Sequence, residues 1–214
     1  DSKNPKRITI AVNAGHGTKG GEKVRTLCHP DGTRKVTGGT NAAGSTTALA
    51  VSSGMTFKDG TKEATVTGQM GHIFAKKLLS AGYDVLLIRD GDDVQLDNVA
   101  RTVLANNKAD AHIALHWDST EKDKGAFFMS VPDSLKKMEP VASHWESHEK
   151  LGESLIAGLK GKGVKIFSSG SMDMDLTQTS YSTVPSVDIE LGDKISDHSE
   201  KQLNLLGDAL VDRV

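Results

Sequence analysis

What most constrains this chain is a series of short apolar runs separated by longer stretches that carry a helical stripe. RITIAVN (7–13), YDVLLIR (83–89) and AHIALH (111–116) read as strands. YDVLLIR is continuously apolar, as expected where helices cover both faces of a sheet. Between the first two runs, Val66, Met70, Ile73, Phe74 and Leu78 mark one face of a helix over 63–81 that Gly82 stops. Val99, Val103 and Leu104 suggest a second helix. A strand near 126–131, a helix over 144–160, a short strand at 164–167 and the strand PSVDIEL (185–191) follow. The last helix starts near Asp197, whose spacing to Glu200 resembles a capping box, and buries Leu203, Leu206, Leu210 and Val214. This alternation predicts an α/β sandwich with a mainly parallel central sheet flanked by helices. A length of 214 residues suits one domain with a full core, and no repeat or long linker divides it, so a single domain over 1–214 is expected.

Residues 18–62 interrupt the pattern with a segment rich in Gly, Thr and Ser. A structureless stretch of that length is uncommon in a compact domain and is usually functional or mobile. The rest of the composition narrows the partners. A net charge of −2, with no stretch that gathers Lys and Arg on one face, makes nucleic acid a poor partner. Cys28 is the single cysteine, so no disulfide within the chain forms. These residues contain no apolar run of membrane-spanning length and no signal-peptide pattern, as expected of a chain from which an address has been removed. The opening DSKNPKR, without a methionine, reads as a mature form or an excised domain.

In a parallel sheet the C-terminal strand ends gather at one edge, where ligands bind. One strand runs into Gly15-His16-Gly17, another ends in His116 and a third ends in Glu190, while Glu63 opens the helix after the long segment. Two imidazoles and a carboxylate make the donor set of a catalytic zinc with its fourth position open. Read separately, each residue also has an ordinary explanation. His16 can be a polar turn residue, and Glu63 a first-turn carboxylate that favours its helix dipole. A glutamate after the apolar SVDI run is either paired in the interior or exposed at a strand tip. The other candidates read as structural. His144 and His148 lie on a polar helix face, His112 is a satisfied core or interfacial histidine, and Arg89 and Arg101 form ion pairs. DGDD (90–93) is a turn that lacks the spacing of a calcium loop.

AVNAGHGTKGG, the helix-opening glutamate, AGYDVLLIRDGDD, ARTVLANNKADAHIALHWDS and PSVDIELGD occur in that order. Together they resemble the zinc-dependent N-acetylmuramoyl-L-alanine amidases, which cut peptidoglycan, from about Arg7 to the C-terminus outside most of the insert. The resemblance implies an α/β sandwich, one Zn2+ held by His16, Glu63 and His116, and Glu190 as the catalytic carboxylate. It implies hydrolysis of the amide between N-acetylmuramic acid and L-alanine by a zinc-activated water, with Glu190 as general base. The partner is then peptidoglycan, and the location secreted or cell-wall associated in bacteria, or that of a phage lysin. The chain departs from the family pattern in its long insert, in Trp117 after His116, in Asp118 where Asn is common and in Asp193 where an aromatic residue is common. The insert is expected to shape one wall of the substrate cleft or to act as a lid. A zinc peptidase of the stem peptide and a non-catalytic wall-binding module are the alternatives.

Overall fold

In the computed structural model, which describes residues 4–38 and 41–214, the apolar runs become strands of one sheet. In chain order the elements are Thr9–Ala14 (β1), Arg25–Leu27 (β2), Thr47–Leu49 (β3), Glu63–Ser80 (α1), Asp84–Leu87 (β4), Asn98–Lys108 (α2) and Ala111–Asp118 (β5). Then come Ala126–Ser130 (β6), Trp145–Gly161 (α3), Ile166–Asp173 (β7), Thr177–Tyr181 (α4), Ser186–Asp193 (β8) and Glu200–Val211 (α5). Six strands form the central sheet in the order β4-β1-β5-β8-β6-β7. Strands β4, β1, β5 and β8 are parallel; β6 is antiparallel to β8 and parallel to β7.

Alternation along the strands sends opposite side chains to two layers. Ile10, Val12, Ile113, Leu115, Val187 and Ile189 pack on α1, α3 and α5 in the main core. Ala11 and Ala105 belong to a smaller apolar cluster beneath α2. From β1 the chain crosses by α1 to the edge strand β4, then returns by α2 on the other face to β5. The winding therefore reverses between β1 and β5, and a crevice opens at their C-terminal ends. Val66, Met70, Phe74 and Leu78 anchor α1 on the sheet, all at 0% exposure. Each such side chain contributes about 1.5–3 kcal/mol of burial, and together they hold the first residue of α1, Glu63, over the crevice.

Three sequence expectations are corrected. The long insert is not structureless: β2 and β3 pair antiparallel within it, Arg25 opposite Leu49 and Leu27 opposite Thr47. The last helix is capped by Ser199, which accepts from Gln202 N, while Asp197 accepts from Ser199 N one step earlier. The strand expected at 164–167 runs over Ile166–Asp173, and a short helix, α4, follows it.

Candidate metal centre

Three side chains from three elements converge at the crevice. His16 leaves β1 in a left-handed conformation (φ 67°), Glu63 opens α1, and His116 lies near the end of β5. His16 Nε2 is 3.1 Å from Glu63 Oε2. His116 Nδ1 is 3.2 Å from His16 Nε2 and 3.3 Å from Glu63 Oε1. Their donor atoms all lie within 4.8 Å of one another. Two imidazole nitrogens and a carboxylate oxygen aimed at one point fit a zinc ion with an open fourth position. The three residues line a cleft of about 680 Å³ together with Asp188, Glu190 and, from the insert, Arg25, Leu49 and Met55.

Two of the donors, His16 and Glu63, are held from behind by hydrogen bonds. Ser52 O lies 2.8 Å from His16 Nδ1, and a carbonyl only accepts, so Nδ1 carries the proton and Nε2 presents a lone pair to the site. Glu63 accepts from Met55 N at 2.8 Å and from Trp117 N at 3.0 Å. Burial opposes its charge, but the hydrogen bonds and charges of His116 and His16 hold the carboxyl well below the usual range. Burial also opposes a charged His116, and Asp188, Glu63 and Glu190 outweigh it and raise the ring to about 10. An imidazole surrounded by carboxylates is a place built for positive charge.

Glu190 is aligned with His116 across the β5–β8 pair, and its Oε2 is buried without a hydrogen-bond partner among the described residues. Burial pushes its carboxyl well above the ordinary value, and Asp188 and Glu63 add to the rise against the opposing charge of His116. A carboxyl with a raised affinity for protons and an uncommitted oxygen suits proton transfer.

The Gly-His-Gly turn has two separate causes. Gly17 sits at φ 80°, and His16 itself occupies the left-handed region, where a non-glycine residue costs about 1–3 kcal/mol. Gly15 is required by crowding, since a Cβ there would lie 2.2 Å from His116 Cε1. Arg89 and Arg101 support the same turn and are nearly buried. Arg101 donates to Ala14 O at 2.9 Å and His16 O at 2.7 Å; Arg89 donates to Ala14 O at 3.1 Å and Gly15 O at 3.2 Å. Arg89 also donates to Thr67 Oγ1 and Arg101 to Asn13 Oδ1, both at 2.9 Å, so among the described residues the guanidinium groups meet neutral oxygens and not the carboxylates expected from sequence.

The remaining candidates stay apart. His148 is buried, not on a solvated face: it accepts from Ser186 N and donates to Thr179 O. His112 meets Asn13 through Nε2, while its buried Nδ1 lacks a partner among the described residues, so the ring is satisfied on one side only there. In the acidic run, Asp90 pairs with His72, and Asp93 accepts from Lys19 N. Among the described residues, only His16, Glu63 and His116 form a group of metal-type donors. Sequence reasoning missed Ser52, Gly54 and Asp188. Gly54 carries a positive φ of 81°, and a Cβ there would meet His16 and Glu63 within 3 Å. Of the family departures, Asp118 pairs with Lys124 at 2.8 Å, and buried Asp193 accepts from Lys124 N.

A family profile described as N-acetylmuramoyl-L-alanine amidase matches residues 10–206, and the chain belongs to that family. No protein with a curated description matches it by sequence. Solved structures share the fold. The N-acetylmuramyl-L-alanine amidase Ami1 from Mycobacterium smegmatis is 16% identical with a TM-score of 0.76, covering 97% of this chain and 95% of its own. The apo form of Ami1 from Mycobacterium abscessus is 18% identical with a TM-score of 0.72, covering 97% and 96%. The amidase AmiC2 of Nostoc punctiforme is 17% identical with a TM-score of 0.67, covering 98% and 96%. By family the chain is an enzyme, an amidase of bacterial cell-wall peptidoglycan.

Proposed function

We propose that this chain hydrolyses the amide joining N-acetylmuramic acid to L-alanine in peptidoglycan, using one zinc ion held by His16, Glu63 and His116. The observation that carries the reading is the convergence of these three donors at a cleft beside Glu190. Zinc held there supplies a Lewis acid that polarises the amide carbonyl and acidifies a water. With the ion bound, His116 would give up the proton that its carboxylate neighbours favour, and two neutral imidazoles with the Glu63 carboxylate would leave the ion and its ligands one net positive charge to set against a developing oxyanion. Glu190 takes the proton from the attacking water and delivers it to the departing alanine nitrogen, because an amine leaves poorly unless protonated. The insert forms one wall of the cleft, and residues 1–214 act as one catalytic domain. The substrate sets the location: the chain works at the bacterial wall, as a secreted wall enzyme or a phage lysin.

Digestion of purified peptidoglycan with end-group analysis tests the proposal. New L-alanine amino termini without new reducing sugars are expected. New amino termini from other stem residues would identify a peptidase instead, and wall binding without cleavage would identify a non-catalytic module.

A further inference from the structure

Asp188 precedes Glu190 by two residues on β8 and faces the same crevice. Its neighbours Val187 and Ile189 point the other way, into the main core. A carboxylate on the inner face of a central strand is expensive to bury, so its surroundings have to explain it. Asp188 Oδ2 lies 3.7 Å from His116 Nε2, while Oδ1 is buried with no hydrogen-bond partner among the described residues. No lysine or arginine reaches either oxygen among the described residues; the cation-capable group beside it is His116.

His116 needs such a neighbour. Its Nδ1 is the atom that meets His16 and Glu63, so a neutral ring that offers Nδ1 to a metal carries its proton on Nε2. His16 has the same need at its opposite nitrogen, and Ser52 O meets it at 2.8 Å. Among the described residues, Asp188 is the carboxylate within ion-pair distance of His116 Nε2, and at 3.7 Å it acts on the ring by its charge and not through a direct hydrogen bond. We infer that Asp188 is a positioning residue, whose carboxylate holds His116 in the tautomer that leaves Nδ1 to the metal. The two histidines are thus steadied by unlike groups, a neutral carbonyl from the insert and an anionic side chain from β8. The anion also makes the ring a stronger donor. Carrying Asp188 and Glu190 on one strand ties the orientation of a metal ligand to the placement of the base.

The inference rests on the zinc reading above, and the test separates the two. Zinc affinity is measured by competition with a chromophoric chelator for the wild type, Asp188→Leu and Asp188→Asn. Long-range 15N–1H NMR of the zinc-loaded proteins reports which nitrogen of His116 bears the proton, and thermal unfolding of the metal-free proteins reports folding. The wild type should bind zinc with the His116 proton on Nε2. Asp188→Leu should weaken zinc about 10–100-fold, the usual cost of losing an outer partner of a ligating histidine. Asp188→Asn, which keeps a polar oxygen but not the charge, should lose less, but severalfold. Neither variant should unfold earlier than the wild type. Wild-type zinc affinity in both variants, or a His116 proton on Nδ1, overturns the inference while leaving the zinc site intact. If Asp188→Leu fails to fold, Asp188→Asn decides alone. A wild type that takes no zinc overturns both readings.

Discussion

Gly15 and the imidazole of His116 share one space: a methyl group on Gly15 would lie within 2.6 Å of three ring atoms. The exit of β1 and the end of β5 are therefore shaped together, and the histidine cannot swing toward the sheet. Gly15→Ala should displace His116 from the other two donors and lower zinc affinity. Overpacking at such a site costs about 1–3 kcal/mol, readable in urea unfolding. Unchanged zinc affinity in Gly15→Ala would mean that the ring has room to move.

Glu190 has the position and proton affinity of a general base but is outside the three-donor cluster. Glu190→Gln should retain zinc and lose turnover by about 10²–10⁴-fold, the usual worth of acid–base catalysis. Metal analysis beside a peptidoglycan assay checks both halves. A variant that loses zinc would make Glu190 a ligand, and a fully active one would remove it from the reaction.

The insert is fastened at a distance from the three-donor cluster. His29 Nε2 and Asp175 Oδ1 meet at 2.9 Å with both side chains buried, and Asp175 also accepts from Val36 N at 2.8 Å. Burial works against the Asp175 charge, but His29, Val36 N and Lys35 together keep its carboxyl below the ordinary value. Removing one member of a buried pair strands the other, so Asp175→Ala should destabilise the fold by about 3 kcal/mol. Denaturant unfolding of the metal-free protein measures this. A loss below about 0.5 kcal/mol would show that the insert does not depend on the clasp.

Much of this architecture is legible in the chain because strand and helix periods depend on near neighbours. The apolar runs mark the parallel strands, and His16 and His116 stand near strand ends as expected, whereas Glu190 lies inside β8, which runs on to Asp193 instead of ending at the glutamate. What could not be read depends on contacts far apart in sequence. The hairpin at 25–49 is held by Asp175 and Tyr181 from the segment around α4. Without that clasp, nothing local says that Ser52 will reach His16 or that Gly54 will press on Glu63. Asp188 looks like one polar residue in an alternating strand until β5 is laid beside it. His148 sits in the polar string HWESHEK, and only the packing of α3 against α4 and β8 buries it.

Acid should destabilise the protein through that buried histidine. Burial is the main reason His148 is lowered from 6.5 to about 4 and His112 to about 3. Both are neutral in the fold, whereas the unfolded chain takes up protons below about pH 6.5. Their contribution is complete above that pH and falls as pH drops toward 4, by about 1 kcal/mol per histidine per pH unit. His148→Gln keeps a donor and an acceptor but cannot titrate, so comparison with the wild type separates His148 from the acid groups of the cleft. Between pH 7 and 5 the wild type should lose more stability than His148→Gln. Parallel curves would mean that His148 titrates normally in the fold.

The most direct test is the zinc content of the purified wild type and of Glu63→Ala after dialysis against zinc and removal of the excess. The wild type should hold one ion per chain. Glu63→Ala, without the anionic donor that Met55 N and Trp117 N orient, should hold almost none. Equal zinc in the two proteins, or none in the wild type, would contradict the three-residue site.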